Sequence, residues 1–395
     1  MSKSEISSTV APSDATQRSA SEEVDFQWER VVRRRSFLKG LGMAGATLTA
    51  GALLTAEGLA QAGQSARRKK LTPGDAAILK FLAAAEILET DLWTQYAELG
   101  GAQGGNPAYI LALQNLDGDM PQYITDNTDD EMSHEQFLNA YLISRDEDPV
   151  DLDAFRTLPS SQATGAKDLG RLTNLMNLNV DTSFYTRYRS SQNPDLGAKI
   201  TGPFTIANEP AIPLNDTDTP PNQPQPVPPV TPQEARMQAI ANTAAFHFGM
   251  IEQGGSSLYT TLAQQVRDVE VLRVVLSIGG VEVDHFGLWH DKMGNAVAQP
   301  LAGVTDPITG LTFPDLNNPA TELTQTNKIL PEPCSFISKS LPLCSVIRPS
   351  TTRNSGAMAA VKGLTADNLF QGQSNAFFAL IRKLAHDADS AERGF

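Results

Sequence analysis

Apolar side chains recur every three or four residues in four long segments of this 395-residue chain. Such spacing places them on one side of an α-helix, and no segment shows the convincing alternation of a half-buried β-strand. The predicted helices span residues 72–100, 121–145, 231–265 and 268–293. A fifth amphipathic helix is predicted at residues 375–392, packed outside the other four. The pattern therefore predicts an all-α fold built on a four-helix bundle.

Capping residues support these boundaries. Thr72 followed by Pro73 is a typical start for the first helix. Thr231 begins the third helix, and Glu234 closes a capping box with it. Gly294 is expected to end the fourth helix.

Long segments without helical periodicity follow the second and fourth helices. Residues 145–231 are predicted to form a crossover between helices two and three, and residues 295–395 a C-terminal extension. The end of the crossover is a stiff strap, because closely spaced prolines favour extended backbone. Its prolines include Pro220, Pro221, Pro224, Pro226, Pro228 and Pro229.

Residues with metal-binding chemistry interrupt the apolar stripes. Glu131 and His134 form one Glu-x-x-His step, and Glu282 and His285 form another. Residues three apart share one helix face, so each step points a carboxylate and an imidazole in the same direction. Thr128, three residues before Glu131, offers an alternative, because the pair matches a capping box. The ligand role is favoured, since His134 has no part in a cap.

A carboxylate-bridged two-metal bundle needs one more glutamate from each of two other helices. Glu252 supplies one on the third helix, and either Glu86 or Glu89 supplies the other on the first. Both candidates on the first helix fall on or beside its apolar stripe, where a carboxylate is costly unless it is paired or bound to a cation.

This ligand order assigns roles to the six positions. Glu131 and Glu282 are the predicted bridging ligands, and His134 and His285 cap one ion each. Oxygen and imidazole ligands without thiolates suit two iron or manganese ions, which can react with O₂ or peroxide. Aromatic rings seven residues after the candidate glutamates are expected to shield the site. They are Trp93, Tyr96 and Tyr259.

The N-terminus carries an export motif. Arg34 and Arg35, followed by Phe37-Leu38-Lys39, resemble a twin-arginine signal that the twin-arginine translocase would engage. An apolar segment ends at Ala60-Gln61-Ala62, which favours cleavage after Ala62 over a permanent membrane anchor. We therefore predict a signal peptide at residues 1–62, a mature domain at residues 63–395, and a periplasmic or extracellular location.

The charge of the chain bears on its possible partners. The formal net charge is −14, which disfavours nucleic acid as a partner because an acidic surface repels phosphate. The sequence leaves open whether the chain forms a homodimer.

The chain contains two cysteines, Cys334 and Cys344. In an exported protein they predict one disulfide, with two thiols as the alternative.

The mature chain resembles the exported ferritin-like domain family that includes plant desiccation-related proteins. The resemblance rests on Ala85-Glu86-Ile87-Leu88-Glu89, Asp130-Glu131-Met132-Ser133-His134-Glu135, Glu252-Gln253-Gly254-Gly255 and Glu282-Val283-Asp284-His285. In that family the first glutamate of the Leu-Glu-x-x-Glu step has an aromatic residue seven positions later, which implies Glu86 with Trp93. The chain departs from the pattern at Ala85, where Leu is usual, at Trp93, where Tyr or Phe is usual, and in its long proline strap.

The resemblance implies a ferritin-like four-helix bundle with a role in stress protection. We expect a two-metal centre that handles O₂ or peroxide. Two rival functions are a manganese-catalase-type enzyme, which disproportionates peroxide, and a non-catalytic stress-protective protein that keeps only the bundle.

Overall fold

Long helices occupy the four segments that the apolar pattern predicts. In the computed structural model they are α1 (Pro73–Gly100), α3 (Met120–Ser144), α5 (Pro232–Ala263) and α6 (Val269–Met293). A shorter helix, α2 (Pro107–Leu116), lies between α1 and α3. The fold is all-α, as predicted, and the boundaries of the four long helices agree with the sequence to within two residues.

The structure describes residues 70–187, 201–220, 226–319, 331, 333–334, 337–346 and 352–393. The predicted signal peptide at residues 1–62 and part of the proline strap lie outside these residues. Among the described residues, no helix has the length and apolar character that a bilayer crossing requires.

The capping residues act as expected. The Thr72 side chain accepts a hydrogen bond from the backbone N–H of Asp75 at 3.1 Å. Thr231 and Glu234 form a capping box at the start of α5. Thr128, by contrast, lies inside α3, where its hydroxyl donates to the carbonyl of Ile124 at 2.6 Å. The capping alternative for Glu131 is therefore wrong.

The four long helices form two packed pairs within the bundle. α1 packs mainly against α3, and α5 packs mainly against α6. Each pair therefore brings together one helix with a lone glutamate and one helix with a Glu-x-x-His step. A continuous apolar core joins the pairs and extends beneath the loops.

The crossover contains short elements that the sequence pattern missed. Strand β1 (Leu178–Val180) pairs antiparallel with β2 (Ile206–Glu209), and the short helix α4 is Phe184–Arg187. Strands of three and four residues are too short to give a periodic signal in the sequence, and they leave the fold all-α.

Asp91 of α1 attaches the crossover to the bundle. Its Oδ2 atom accepts hydrogen bonds from the backbone N–H groups of Leu172 and Thr173, both at 3.0 Å. The Arg156 guanidinium contacts the other oxygen of the same carboxylate. The contacts on Asp91 satisfy a buried carboxylate and fix the path of the loop.

The C-terminal extension covers the outside of α1. Its helices are α7 (Thr352–Ser355), α8 (Ala357–Ala366) and α9 (Asn375–Asp389). α9 packs against α1, and α8 packs against α9. The predicted fifth helix therefore corresponds to α9, whereas α8 was not predicted.

The predicted disulfide is not formed. The structure places Cys334 and Cys344 as thiols, the first buried and the second exposed. The Cys344 Sγ lies 3.8 Å from the carbonyl oxygen of Ser345. A disulfide requires a specific separation and orientation of the two side chains, and sequence spacing alone carries no information on this geometry.

Candidate metal centre

Six candidate ligands meet in the middle of the four-helix bundle. α1 contributes one glutamate, α5 contributes one glutamate, and α3 and α6 each contribute a glutamate and a histidine one turn further on. All six side chains are buried, and the carboxylates are at most 1% exposed. The residues are Glu86, Glu131, His134, Glu252, Glu282 and His285.

The ligand atoms form two overlapping groups. Within each group, one atom from every residue lies within 4.8 Å of all the others. Glu131 and Glu282 belong to both groups, so these two carboxylates lie between two sets of terminal ligands. The first group adds Glu86 and His134, and the second adds Glu252 and His285.

In the first group His134 faces three carboxylates. Its Nδ1 atom lies 3.1 Å from Glu131, 3.4 Å from Glu86 and 3.5 Å from Glu282. The Tyr259 hydroxyl, on α5, donates a hydrogen bond to the Oε1 atom of Glu86. Tyr259 therefore fixes one oxygen of Glu86 and leaves the other directed towards His134.

In the second group His285 faces two carboxylates. Its Nδ1 atom lies 3.1 Å from Glu131 and 3.3 Å from Glu252. Its Nε2 atom lies 3.1 Å from the carboxylate of Asp130, on the far side of the ring. An imidazole that donates through Nε2 keeps the Nδ1 lone pair for a cation.

Asn127 ties the two groups to the aromatic core. Its side-chain N–H₂ donates to Glu131 at 2.9 Å and to Glu252 at 3.0 Å. Its carbonyl oxygen accepts a hydrogen bond from the Trp289 indole at 2.7 Å. Because an amide has a fixed shape, this network holds the two carboxylates at a set separation.

Several buried polar atoms of the cluster have no hydrogen-bond partner among the described residues. Three of the carboxylate oxygens lie 3.3–3.5 Å from a histidine Nδ1 atom without forming a hydrogen bond with it. Each unsatisfied buried polar atom costs about 1–3 kcal/mol, and more if it is charged. The atoms are Glu86 Oε2, Glu252 Oε2, Glu282 Oε1, Glu282 Oε2 and His285 Nδ1.

A pair of divalent cations fits this donor set. Four carboxylates carry four negative charges, which two divalent ions neutralise, and the unpartnered atoms are the ones that such ions would bind. The donors are oxygen and imidazole nitrogen, with no thiolate, which suits iron or manganese better than a soft metal.

Burial and close contacts between charged groups shift the pKa values of the cluster. Burial raises the pKa of Glu86 to about 8 and raises that of Glu282 well above its usual range. Burial alone would raise the pKa of Glu131 as well, but contacts with His134 and His285 prevail and lower it to about 2. In the metal-free protein, protons on Glu86 and Glu282 therefore occupy oxygens to which cations would otherwise bind.

Glu89, the other candidate on α1, lies in neither group. It is half-buried and lines an apolar cavity on the side of α1 that faces α5 and the C-terminal helices. Burial raises its pKa well above the usual range, and the nearby negative charge of Glu131 adds to this effect. Of the two alternatives, the structure brings only Glu86 into ligand distance.

The three aromatic side chains that the sequence predicts to shield the site differ in their contacts with the cluster. Tyr259 contacts the cluster directly through Glu86. Trp93 stacks on Trp289, with ring centroids 5.4 Å apart. Tyr96 forms a 2.7 Å hydrogen bond with His247. Among the described hydrogen bonds, Tyr259 is the one of the three that reaches a ligand.

Sequence reasoning missed two residues of the site. Asn127 lies four residues before Glu131 and thus on the same helix face, which is a signal that could have identified it. Asp130 is half-exposed and adjacent to Glu131, so its contact with His285 of another helix depends on how α3 and α6 pack. No local pattern encodes that contact.

Four helices that converge glutamates and histidines on a buried cluster define the ferritin-like class of bundle. The sequence model of the ferritin-like domain matches residues 74–295, which is more than half of the chain, and the chain belongs to this family. The matched region contains all six residues of the cluster. Searches of curated proteins and of solved structures find no significant match.

Proposed function

We propose that this protein binds two iron or manganese ions and uses them to reduce O₂ or peroxide. The observation that carries the proposal is the sharing of Glu131 and Glu282 between two ligand groups. In this arrangement Glu86 and His134 would hold one ion, Glu252 and His285 would hold the other, and Glu131 and Glu282 would serve as ligands for both. The bound ions would supply electrons and Lewis acidity.

The protein's own residues orient the ligands, exclude water from them and hold protons that metal binding must displace. Asn127 and Tyr259 fix the orientation of three glutamates before any ion arrives. Burial excludes water from the carboxylates, which strengthens their attraction for a cation. Metal binding must release the protons that the cluster holds, so metal affinity depends on pH.

Export and stress protection are part of the same proposal. The support is the motif around Arg34 and Arg35 and the resemblance to exported, desiccation-related proteins. The twin-arginine translocase carries folded proteins, which would allow the centre to be loaded before the chain reaches the periplasm or the outside of the cell. A homodimer and the lack of a nucleic-acid partner stay predictions.

The reaction is tested with protein purified from the compartment to which its own host delivers it. Metal analysis gives the native ions, and stopped-flow mixing measures how fast they consume O₂ or hydrogen peroxide. Consumption of peroxide without oxygen release supports the proposal. Oxygen evolution at half the rate of peroxide loss would instead identify the manganese-catalase-type activity.

A non-catalytic role is tested by removing both shared carboxylates in the host. The variant is Glu131→Ala with Glu282→Ala, and the control is Asp126→Ala with Asp284→Ala, two exposed acids on the same helices. The proposal predicts that the first variant folds but loses protection against peroxide or drying, whereas the control keeps it. Full protection by a folded Glu131→Ala, Glu282→Ala variant would favour the non-catalytic alternative.

A further inference from the structure

An apolar cavity lies directly beside the proposed metal centre. Its volume is about 40 Å³, and a single water molecule requires at least about 10–15 Å³ on the same scale. The cavity lies between α1, α5, α8 and α9. Its walls include Phe81, Ala85, Ile251, Leu258, Val361 and Phe370.

Gly255 and Glu89 separate this cavity from the cluster. Gly255 lines the cavity, and a Cβ atom built on it would lie 2.2 Å from Oε2 of Glu282. The backbone of Gly255 is therefore in contact with a carboxylate that both ligand groups share. Glu89 also lines the cavity, and it lies one helical turn after the ligand Glu86 on α1. The cavity and the cluster are neighbours across a single layer of atoms.

The lining determines which molecule the cavity accepts. Of the described residues that line it, Glu89 alone is ionisable, and the others are apolar side chains or glycine. Apolar cavities stay dry and take up apolar guests such as xenon. Hydrogen peroxide would lose its hydrogen bonds to water here, and Glu89 could replace only some of them. Dioxygen has no such bonds to lose.

We propose that this cavity holds dioxygen and delivers it to the metal centre between Gly255 and Glu89. The inference rests on the proposed function, and it selects dioxygen as the substrate that enters from this side. Peroxide, being polar, reaches the centre by another route.

The cavity is tested first with xenon as the probe. Crystals of the metal-free full-length protein are pressurised with xenon, and the anomalous signal is measured at the cavity. Ala360→Leu extends a wall residue of α8 into the space, and Ala359→Leu makes the same change one residue earlier, outside the lining. We expect xenon in the wild type and in Ala359→Leu, and none in Ala360→Leu.

The substrate is tested by the oxidation of iron(II)-loaded protein at varied O₂ and varied peroxide. Ala360→Leu should raise the O₂ concentration for half-maximal rate several-fold and leave the peroxide dependence unchanged. Ala359→Leu should change neither. Circular dichroism and metal content of each variant show whether fold and centre are intact.

Two results would overturn the inference. One is the absence of xenon from the wild-type cavity. The other is an Ala360→Leu variant with normal metal content whose O₂ dependence equals that of the wild type, or whose O₂ and peroxide dependences change equally. These results leave the proposed two-metal centre standing. A chain that binds no metal would overturn the proposed function, and this inference with it, whatever the xenon experiment shows.

Discussion

The Nε2 atom of His285 on α6 lies 3.1 Å from Oδ2 of Asp130 on α3. This contact crosses between two helices and joins a buried imidazole, 8% exposed, to a carboxylate that is 52% exposed. A histidine that donates to a carboxylate through one nitrogen presents the other to a metal in a fixed direction. Among the described contacts of the centre, no such carboxylate pairs with the second nitrogen of His134, so the two halves are not equivalent.

Asp130→Asn tests the positioning role of this contact. The amide is isosteric but carries no charge, so it holds the His285 ring less firmly and lowers the basicity of Nδ1. We expect metal affinity to fall by about 10–100-fold, with the fold unchanged. Isothermal titration with Mn²⁺ measures the change.

Asp126→Asn is the matched control for this variant. Asp126 is an exposed acid on the same helix and accepts a hydrogen bond from Gln122. It should bind Mn²⁺ as the wild type does. Equal loss in both variants would mean that general surface charge, and not the contact with His285, sets the affinity.

Gly255→Ala should displace a shared ligand without unfolding the bundle. The new methyl group would lie 2.2 Å from Oε2 of Glu282, and the flexible carboxylate is the group that can move. Because Glu282 belongs to both ligand groups, we expect weaker binding of both ions. Metal content after dialysis against a fixed Mn²⁺ concentration measures the loss.

Gly280→Ala provides the control on the facing helix. A Cβ atom at Gly280 would meet nothing within 4 Å, so only helix propensity changes. This variant should keep both ions and gain about 1 kcal/mol of stability. Full metal occupancy in Gly255→Ala would show that Glu282 is not a ligand in its observed position.

The metal-free protein should lose stability as pH rises from 6.5 to 8. Burial raises the pKa of Glu86 from 4.5 to about 8. Burial alone would lower the pKa of His134, but contacts with Glu131 and Glu86 raise it from 6.5 to about 10. In this interval the folded state holds protons that the unfolded chain has released, so the free energy of unfolding falls with rising pH, by on the order of 1 kcal/mol per pH unit for each proton.

Bound metal should remove most of this pH dependence. Ions displace the same protons, so at a fixed concentration of free Mn²⁺ the stabilisation grows with pH. The lowered pKa of Glu131, about 2, makes no contribution to the change in this range. Urea unfolding with EDTA and with Mn²⁺, at pH 6.5 and pH 8, measures both slopes. Equal slopes with and without Mn²⁺ would contradict metal binding by this cluster.

The helices could be predicted because their signals are local. Thr72 with Pro73, and Thr231 with Glu234, mark starts that the structure reproduces. Spacing of three within a helix also placed Glu131 with His134 on one face. The all-α fold and the ferritin-like family could therefore be predicted from the sequence.

The features that the sequence did not predict depend on contacts between segments that are distant along the chain. Glu86 and Glu89 both lie near the apolar stripe of α1, and only the packing of α3 and α6 decides which one faces the cluster. Asp130 meets His285 for the same reason. The apolar cavity needs side chains from the C-terminal extension, which no periodic pattern assigns to the bundle.

The number and position of the bound ions decide whether this is a two-metal protein. Native protein is analysed for metal by mass spectrometry, and its crystals are measured at the iron and manganese absorption edges. We expect two ions per chain, about 3.5–4 Å apart, with Glu131 and Glu282 bound to both. One ion per chain, no ion, or ions held outside the six-residue cluster would contradict the proposed centre.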